Sequence, residues 1–452
     1  MENWIECEMA EQNMGDARLN KRVEKLLTTL SIEPSKSLPC ANDTWAETFA
    51  AYRLFDNEKV SVESIMTGHK AATLKRIKNE EVVLIPQDTT FLNFATDDKS
   101  KKMGTLRSKK SNQQLLHTSI AITPYRVNLG IVECSMWQRD EKSTSNSRNT
   151  KSIEDKESLR WITHYQSACL VQAQSPCTTV VSIADREGDI HEWFQYAQSV
   201  PVDSRAAYIV RAKANRTLSL DNDDRTPLWD YMNSLESLGN YSVNVPKRNG
   251  EPGRDAKVDI FASEIQLAGK GKKRQTLFLH AVYLKERAPP EGEKGIEWML
   301  LTDLPVEDFT QARIIIEWYR CRWEIETYFR VLKGSCDIEK NRLRTDSRML
   351  NCIAIYMIIS WRLHSMTMLS RREPDRPCTD VFSEREWKIL WVMRTKTQPP
   401  RVPPSLRKAI HMLGGLGGFL GRKGDGEPGV KTIWEGYSKL LHYIEAADMF
   451  GV

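Results

Sequence analysis

Val82-Val83-Leu84-Ile85-Pro86-Gln87-Asp88-Thr89-Thr90 is a brief apolar run that ends on an acid. Four apolar residues in succession are the pattern of a strand buried on both faces. That strand is expected to close at Gln87-Asp88-Thr89-Thr90. The same figure recurs at 178–184, where Thr178-Thr179-Val180-Val181-Ser182-Ile183-Ala184 runs into Asp185-Arg186-Glu187-Gly188-Asp189 and then into a helix over 190–198. An acid at the end of a buried strand is a functional clue, and the chain repeats it.

Outward from these two runs, residues 1 to about 70 read as small helices. Gly15-Asp16 starts one, with Leu19, Val23, Leu26, Leu27 and Leu30 at helical spacing beside Arg18, Lys21, Arg22 and Lys25; a second covers 45–55. Segments 116–122 and 127–134 flank Thr123-Pro124-Tyr125-Arg126 as an antiparallel hairpin. A polar loop at 140–152 leads to a helix over 156–174, and 206–213 is another strand. From about 214 to 297 the strand and helix alternation lapses into a β-rich insertion, with strand candidates at 241–245, 258–261 and 276–283. Residues 298–302 restore a buried strand, and helices follow at 349–368, 384–393 and the C-terminus. Pro399, Pro400, Pro403, Pro404 and a Gly-rich run over 414–429 punctuate them. In the last helix Trp434, Tyr437, Leu441 and Ile444 form a stripe read as core packing, with docking on another copy as the alternative.

A chain of 452 residues implies two to four structural units. Lys plus Arg at 65 against Asp plus Glu at 60 leaves a net charge of +5, a weak sign of polyanion binding by itself. Its distribution says more: Lys99, Lys101, Lys102, Arg107, Lys109 and Lys110 crowd one stretch, and 320–344 holds another concentration. Nine cysteines without CxxC or Cys/His spacing argue against a disulfide framework and a structural zinc site. The N-terminus MENWIECEMAEQ lacks the features of a secretory signal, and the longest apolar run, 350–361, is too short for a membrane span. These features lead to the expectation of a soluble cytoplasmic protein.

One further stretch carries chemistry: Tyr319-Arg320-Cys321-Arg322-Trp323-Glu324-Ile325-Glu326-Thr327-Tyr328-Phe329-Arg330-Val331-Leu332-Lys333. Read as one α-helix at ~100° per residue, it sets Tyr319, Arg322, Glu326 and Lys333 within an arc of ~60°. Ile314, Trp318, Ile325, Phe329 and Leu332 form the apolar stripe beside them. One carboxylate among cations suits a phosphodiester and its metal; the ordinary alternative is a solvated face with incidental ion pairs. Asp88, Asp185 and Glu326 gain meaning jointly, because two Mg²⁺ ions need several carboxylates and share one between them. Singly, any of them could be a surface group, and Asp185, just before a helix, could be its N-cap.

The signature Y-x2-R-x3-E-x6-K, present as Tyr319, Arg322, Glu326 and Lys333, together with QDTT and ADREGDIH at two strand ends, resembles the cut-and-paste DDE transposases of bacterial insertion sequences. Within them it is most similar to the branch typified by the transposase of composite transposon five. The likeness also takes in Gly15-Asp16-Ala17-Arg18-Leu19, Glu47-Thr48-Phe49-Ala50-Ala51-Tyr52-Arg53, Leu413-Gly414-Gly415-Leu416-Gly417-Gly418 and Trp434-Glu435-Gly436. The resemblance implies an α/β fold: an RNase H-like catalytic domain, a mixed sheet flanked by helices, over 71–370 with the β-rich insertion at about 214–297. An N-terminal helical domain over 1–70 would bind the transposon ends, and a C-terminal helical domain over 371–452 would dimerise.

By the same resemblance Asp88, Asp185 and Glu326 match the metal-binding triad for two Mg²⁺ ions, with Mn²⁺ able to substitute. Tyr319, Arg322 and Lys333 would hold the 5′-phosphate of the non-transferred strand, with Arg211 and Lys213 near a DNA hairpin. Trp298 matches the aromatic on which a flipped base stacks, a contact worth roughly 1 to 3 kcal/mol; its ordinary alternative is a core residue opening a strand. The implied activity is binding of transposon ends, cleavage through a hairpin and joining of 3′-hydroxyls to target DNA by a homodimer, with no membrane involved. The competing readings are an RNase H-like nuclease without strand transfer and a domesticated DNA-binding inhibitor of transposition. Asp97 and Asp98 offer rival carboxylates to Asp88, which is preferred because it follows the apolar strand.

Overall fold

The computed structural model describes residues 4–32, 35–42, 44–94, 113–138, 157–219, 225–245, 253–268, 276–292, 295–343 and 345–450. Asp97, Asp98, the basic cluster from Lys99 to Lys110 and the polar loop at 140–152 lie outside them. Along the chain, helices α1 (Trp4–Met9), α2 (Ala17–Ile32), α3 (Leu38–Ala41), α4 (Trp45–Phe55) and α5 (Val62–Ile77) precede strand β1 (Val82–Asn93). The hairpin β2 (Gln113–Ile122) and β3 (Asn128–Trp137) is followed by α6 (Leu159–Gln174), β4 (Thr179–Ala184), α7 (His191–Ser199) and β5 (Ala207–Arg211). Next come α8 (Leu228–Ser234), β6 (Gly239–Val245), β7 (Arg254–Leu267), β8 (Leu277–Glu286) and β9 (Glu297–Thr302). The remainder is helical: α9 (Phe309–Arg320), α10 (Trp323–Arg330), α11 (Asp346–Arg372), α12 (Glu384–Thr395), α13 (Leu406–Leu416) and α14 (Val430–Phe450). The hydrogen-bonded strand order is β3-β2-β1-β4-β5-β9-β8-β7-β6.

Two compact units result: one of residues 1–79, 89–140 and 324–452, the other of 80–88 and 141–323. In the second, β1, β4 and β5 run parallel, β9 is antiparallel to β5, and β8, β7 and β6 add antiparallel strands. Parallel strands need cover on both faces, which is why Val83, Leu84, Ile85, Val180, Val181 and Ile183 are all fully buried. The β-rich segment therefore extends the sheet through its β8 to β9 ladder, His280↔Thr302 to Lys285↔Glu297.

The first unit is organised on α11. It is buried almost all round, from Met349 to Ser370, and packs against α2, α4, α5 and β3. It is also long and apolar enough to cross a membrane, but 83% of its most apolar window is buried inside the protein, the signature of a core helix. The run read as 350–361 is thus only its middle. Beside Trp361 of this helix Glu8, 2% exposed, accepts from His69 Nδ1 at 2.6 Å and Arg76 Nη1 at 2.7 Å, while His69 Nε2 accepts the Ile131 N–H, so α1, α5 and β3 share one buried charge network. The stripe on α14 divides: Trp434 and Tyr437 are buried, whereas Leu441 and Ile444 are only half-buried.

The glycines after α13 have a packing reason. A Cβ on Gly436 would stand 1.8 Å from the Leu413 carbonyl oxygen, and one on Gly417 would stand 1.9 Å from that of Thr432, so α13 and α14 cross backbone to backbone. Gly436→Ala is expected to destabilise by about 1 to 3 kcal/mol through overpacking. Gly429→Ala, where a Cβ meets nothing within 4 Å, should leave the melting temperature nearly unchanged. Equal thermal denaturation of the two variants would refute the crossing.

Candidate active site

The register of three parallel strands sets the site. β1 and β4 pair from Val82↔Thr179 to Pro86↔Ile183, so two residues further Asp88 comes level with Asp185. β4 and β5 pair up to Ala184↔Val210, which brings Arg211 to the same level. Adjacent strands lie ~4.8 Å apart and matched residues project to one face, so two carboxylates and a guanidinium form a row. β1 does not end at Gln87-Asp88-Thr89-Thr90, where the apolar run gives out; it runs on to Asn93. What ends there is its neighbour, because β4 stops at Ala184, and Asp88 and Thr89 are the first half-exposed residues after five buried ones.

Each carboxylate has a partner. Arg322 Nη1 donates to Asp88 Oδ2 at 3.0 Å, and the Glu187 N–H donates to Asp185 Oδ1 at 2.8 Å, which caps the short turn Arg186–Gly188. The N-cap alternative for Asp185 is therefore real, yet it engages only one carboxylate oxygen. An oxygen-rich donor pair of this kind suits a hard divalent cation. Among the described residues no group of three or more His, Cys, Asp or Glu side chains is gathered closely enough to hold a metal ion.

Beside the row, Trp298 opens β9 half-exposed, so it is not a core residue. Its ring meets Tyr319 edge-on, centroids 5.2 Å apart at 70°, and the Arg211 guanidinium stands 5.8 Å from its centroid. Arg211 Nη2 also donates to the Glu297 carbonyl at 3.0 Å. Trp298, Arg186, Arg211, Tyr241 and Arg320 line a cavity of about 470 Å³. Burial raises the Tyr319 phenol above its usual range and lowers the Arg211 guanidinium below its own, while the attraction between the two works against both shifts.

The stretch from Tyr319 to Lys333 is not one helix. α9 stops at Arg320, Cys321 and Arg322 form a turn in which the Arg322 N–H bonds the Tyr319 carbonyl, and α10 restarts at Trp323. A π-helical turn, Val331–Ser335, then carries Lys333. Such turns are frequent at functional sites. Ile314 is 41% exposed rather than part of the apolar stripe. Asp88, Asp185, Arg211, Lys213, Trp298, Tyr319 and Arg322 fall in the second compact unit, Glu326 and Lys333 in the first. Burial lowers the Lys333 ammonium, opposed by nearby Glu339.

Asp189 is a further acid of the same strand-end motif. Its buried carboxylate accepts the Lys213 N–H at 2.8 Å, the Ala214 N–H at 2.9 Å and Arg216 Nε at 3.1 Å, with a further bond from Arg216 Nη2. Asp189 thereby fixes the loop that presents exposed Lys213. The signal was present as the second acid of ADREGDIH.

A second cavity of about 360 Å³ is lined by Gln198, Arg205, Tyr208, Phe278 and Asp303. Burial raises the Asp303 carboxyl from 3.8 to about 6, with the Tyr208 N–H at 2.9 Å opposing it. The folded state thus holds a proton that the unfolded chain has released between about pH 4 and 6, so stability falls as pH rises through that window. Asp303→Asn is expected to stabilise by up to about 3 kcal/mol at pH 7.5 and by nothing below pH 4. Urea unfolding at the two pH values checks this, and equal midpoints at pH 7.5 would refute it.

Three family models match the chain in order: Transposase DNA-binding over residues 1–60, Transposase DDE domain over 183–361 and Transposase Tn5 dimerisation domain over 358–450. The class they define is the DDE transposases, DNA-binding enzymes whose DDE domain has an RNase H-like fold, in keeping with the mixed sheet, and depends on a divalent metal. Together the three matches support a DNA transposase of the Tn5 type, with DNA-binding, DDE and dimerisation domains in that order. The DDE match takes in Asp185 and Glu326 but begins after Asp88. A piggyBac transposase synaptic complex with hairpin DNA is similar at 7% identity and a TM-score of 0.35, over 82% of this chain and 72% of that one.

Proposed function

We propose that this chain performs cut-and-paste transposition in the bacterial cytoplasm. It binds transposon-end DNA, cleaves through a hairpin and joins the 3′-hydroxyls to target DNA as a homodimer in a synaptic complex. The observation that carries the reading is the level of Asp88 with Asp185 on neighbouring parallel strands of a DDE transposase. Residues 1–70, 71–370 and 371–452 serve as end-binding, catalytic and dimerisation domains.

Asp88, Asp185 and Glu326 would hold two Mg²⁺ ions, with Mn²⁺ able to substitute. When bound, such ions activate the attacking oxygen and stabilise the leaving one. Arg322, which bonds Asp88 at 3.0 Å, neutralises that carboxylate, and a phosphate would compete for the guanidinium. Tyr319, Arg322 and Lys333 grip the 5′-phosphate of the non-transferred strand. Arg211 and Lys213 border the hairpin, and Trp298 receives the flipped base in its cavity, where stacking offsets the unpairing cost.

Incubation with the element's own terminal repeats, Mg²⁺ and supercoiled plasmid tests the reading. Nicks, hairpins and then joined products are expected in that order. Cleavage without joining would leave a nuclease, and end binding without cleavage a transposition inhibitor.

A further inference from the structure

Helix α4 carries Trp45, Phe49 and Tyr52 at i, i+4 and i+7, on one face. Trp45 is 64% exposed and Phe49 47%, and their rings meet edge-on with centroids 5.0 Å apart at 84°. Phe49 and Tyr52 continue the row at 6.5 Å, and at its end the Arg348 guanidinium lies 4.9 Å from the Tyr52 ring. Single exposed aromatics are ordinary, but two touching rings left in water form a patch that asks for a partner.

Charge around the row says which partner. Its two acids are already matched: Glu47 by Lys25 Nζ at 2.5 Å, and Asp56 by Arg348 Nε at 2.8 Å. Lys25 brings α2 beside α4, and exposed Lys21 and Arg22 lie one turn before it on the same side of α2. Exposed Arg53 closes the other end. An aromatic row bordered by cations suits a polyanion with flat apolar faces between its phosphates, and residues 1–60 match a transposase DNA-binding domain.

We propose that Trp45 and Phe49 are a reading contact for transposon-end DNA, packing on base and sugar faces while Lys21, Arg22 and Arg53 meet phosphates. The inference rests on the transposase reading above. Because the two rings release no counterions, their share of the affinity is independent of salt.

The test is fluorescence anisotropy of labelled terminal-repeat DNA with the full-length protein over a salt series. Trp45→Ala/Phe49→Ala is expected to raise Kd about tenfold or more at every salt concentration, with the slope of log affinity against log salt unchanged. Trp45→Phe/Phe49→Tyr should restore binding, and thermal melting of both variants should match the parent, since the rings are exposed. Unaltered binding by the alanine variant, or a loss accompanied by a flatter slope, would overturn the proposal. So would normal binding by a variant that has changed from dimer to monomer in light scattering, which would assign the patch to a second copy. Failure of the unmutated protein to bind its ends would instead remove the transposase reading itself.

Discussion

Asp88→Ala and Asp185→Ala are each expected to lower strand cleavage by at least about a thousandfold while terminal-repeat binding stays within a few-fold of normal. Metal-assisted stabilisation of charge at a phosphoryl centre is worth several kcal/mol, and each 1.36 kcal/mol is tenfold in rate. Asp88 on β1 stands level with Asp185, the residue that follows β4, so either truncation removes half of this carboxylate pair. Removing a carboxylate from a cationic row leaves affinity for phosphate intact or increases it, and Asp88→Ala also frees Arg322 from its 3.0 Å bond. Gel assays of nicking and of end binding on the same preparations separate the two effects. Near-normal cleavage by either variant would strike that residue from the site. Glu326→Ala should behave in the same way, a test independent of the register argument because Glu326 lies on α10.

How far the sequence led differs from element to element, for physical reasons. Where burial on both faces demands a continuous apolar run the strand was readable, so 178–184 became β4 and 298–302 became β9. The three strand candidates of the insertion became β6, β7 and β8, and along β6 and β7 less and more exposed residues alternate. Strand ends were less readable. Asp88 owes its half-exposed position to the shorter β4 beside it, and a neighbour's length is not written in the strand's own residues. The break between α9 and α10 carries neither Gly nor Pro. Bonds from Cys321 and Arg322 back to the last turn of α9 close that helix, and the Arg322 side chain is drawn to Asp88, a partner 234 residues away. The compact units likewise ignore chain order, because α11 gathers elements from both ends of the sequence around itself. The roles of Trp298, Arg211 and Lys213 came from resemblance alone; no periodicity distinguishes a half-exposed Trp at the mouth of a cavity from one that begins a core strand.

That half-exposed ring supports the second large effect. Trp298→Ala is expected to leave nicking of the first strand near normal and to reduce hairpin formation by about ten- to a hundredfold, the loss of one base stack at roughly 1 to 3 kcal/mol. The first nick needs no unpaired base, whereas closing a hairpin strains the end and is eased when a base leaves the stack for a pocket. The cavity of about 470 Å³ beside Trp298 is of the size of small-ligand sites, and Arg186, Arg211 and Arg320 on its wall supply cations for the phosphates that accompany a base. Truncation also removes the edge-on support of Tyr319, so Tyr319→Phe, which keeps the ring contact and loses the hydroxyl, is the companion variant. It should retain hairpin formation better than Trp298→Ala if stacking is the cause. A time course of nicked and hairpin products reads both variants, and an equal loss of nicking and hairpin in Trp298→Ala would make the ring a packing element of β9 and leave the flipped base without a platform.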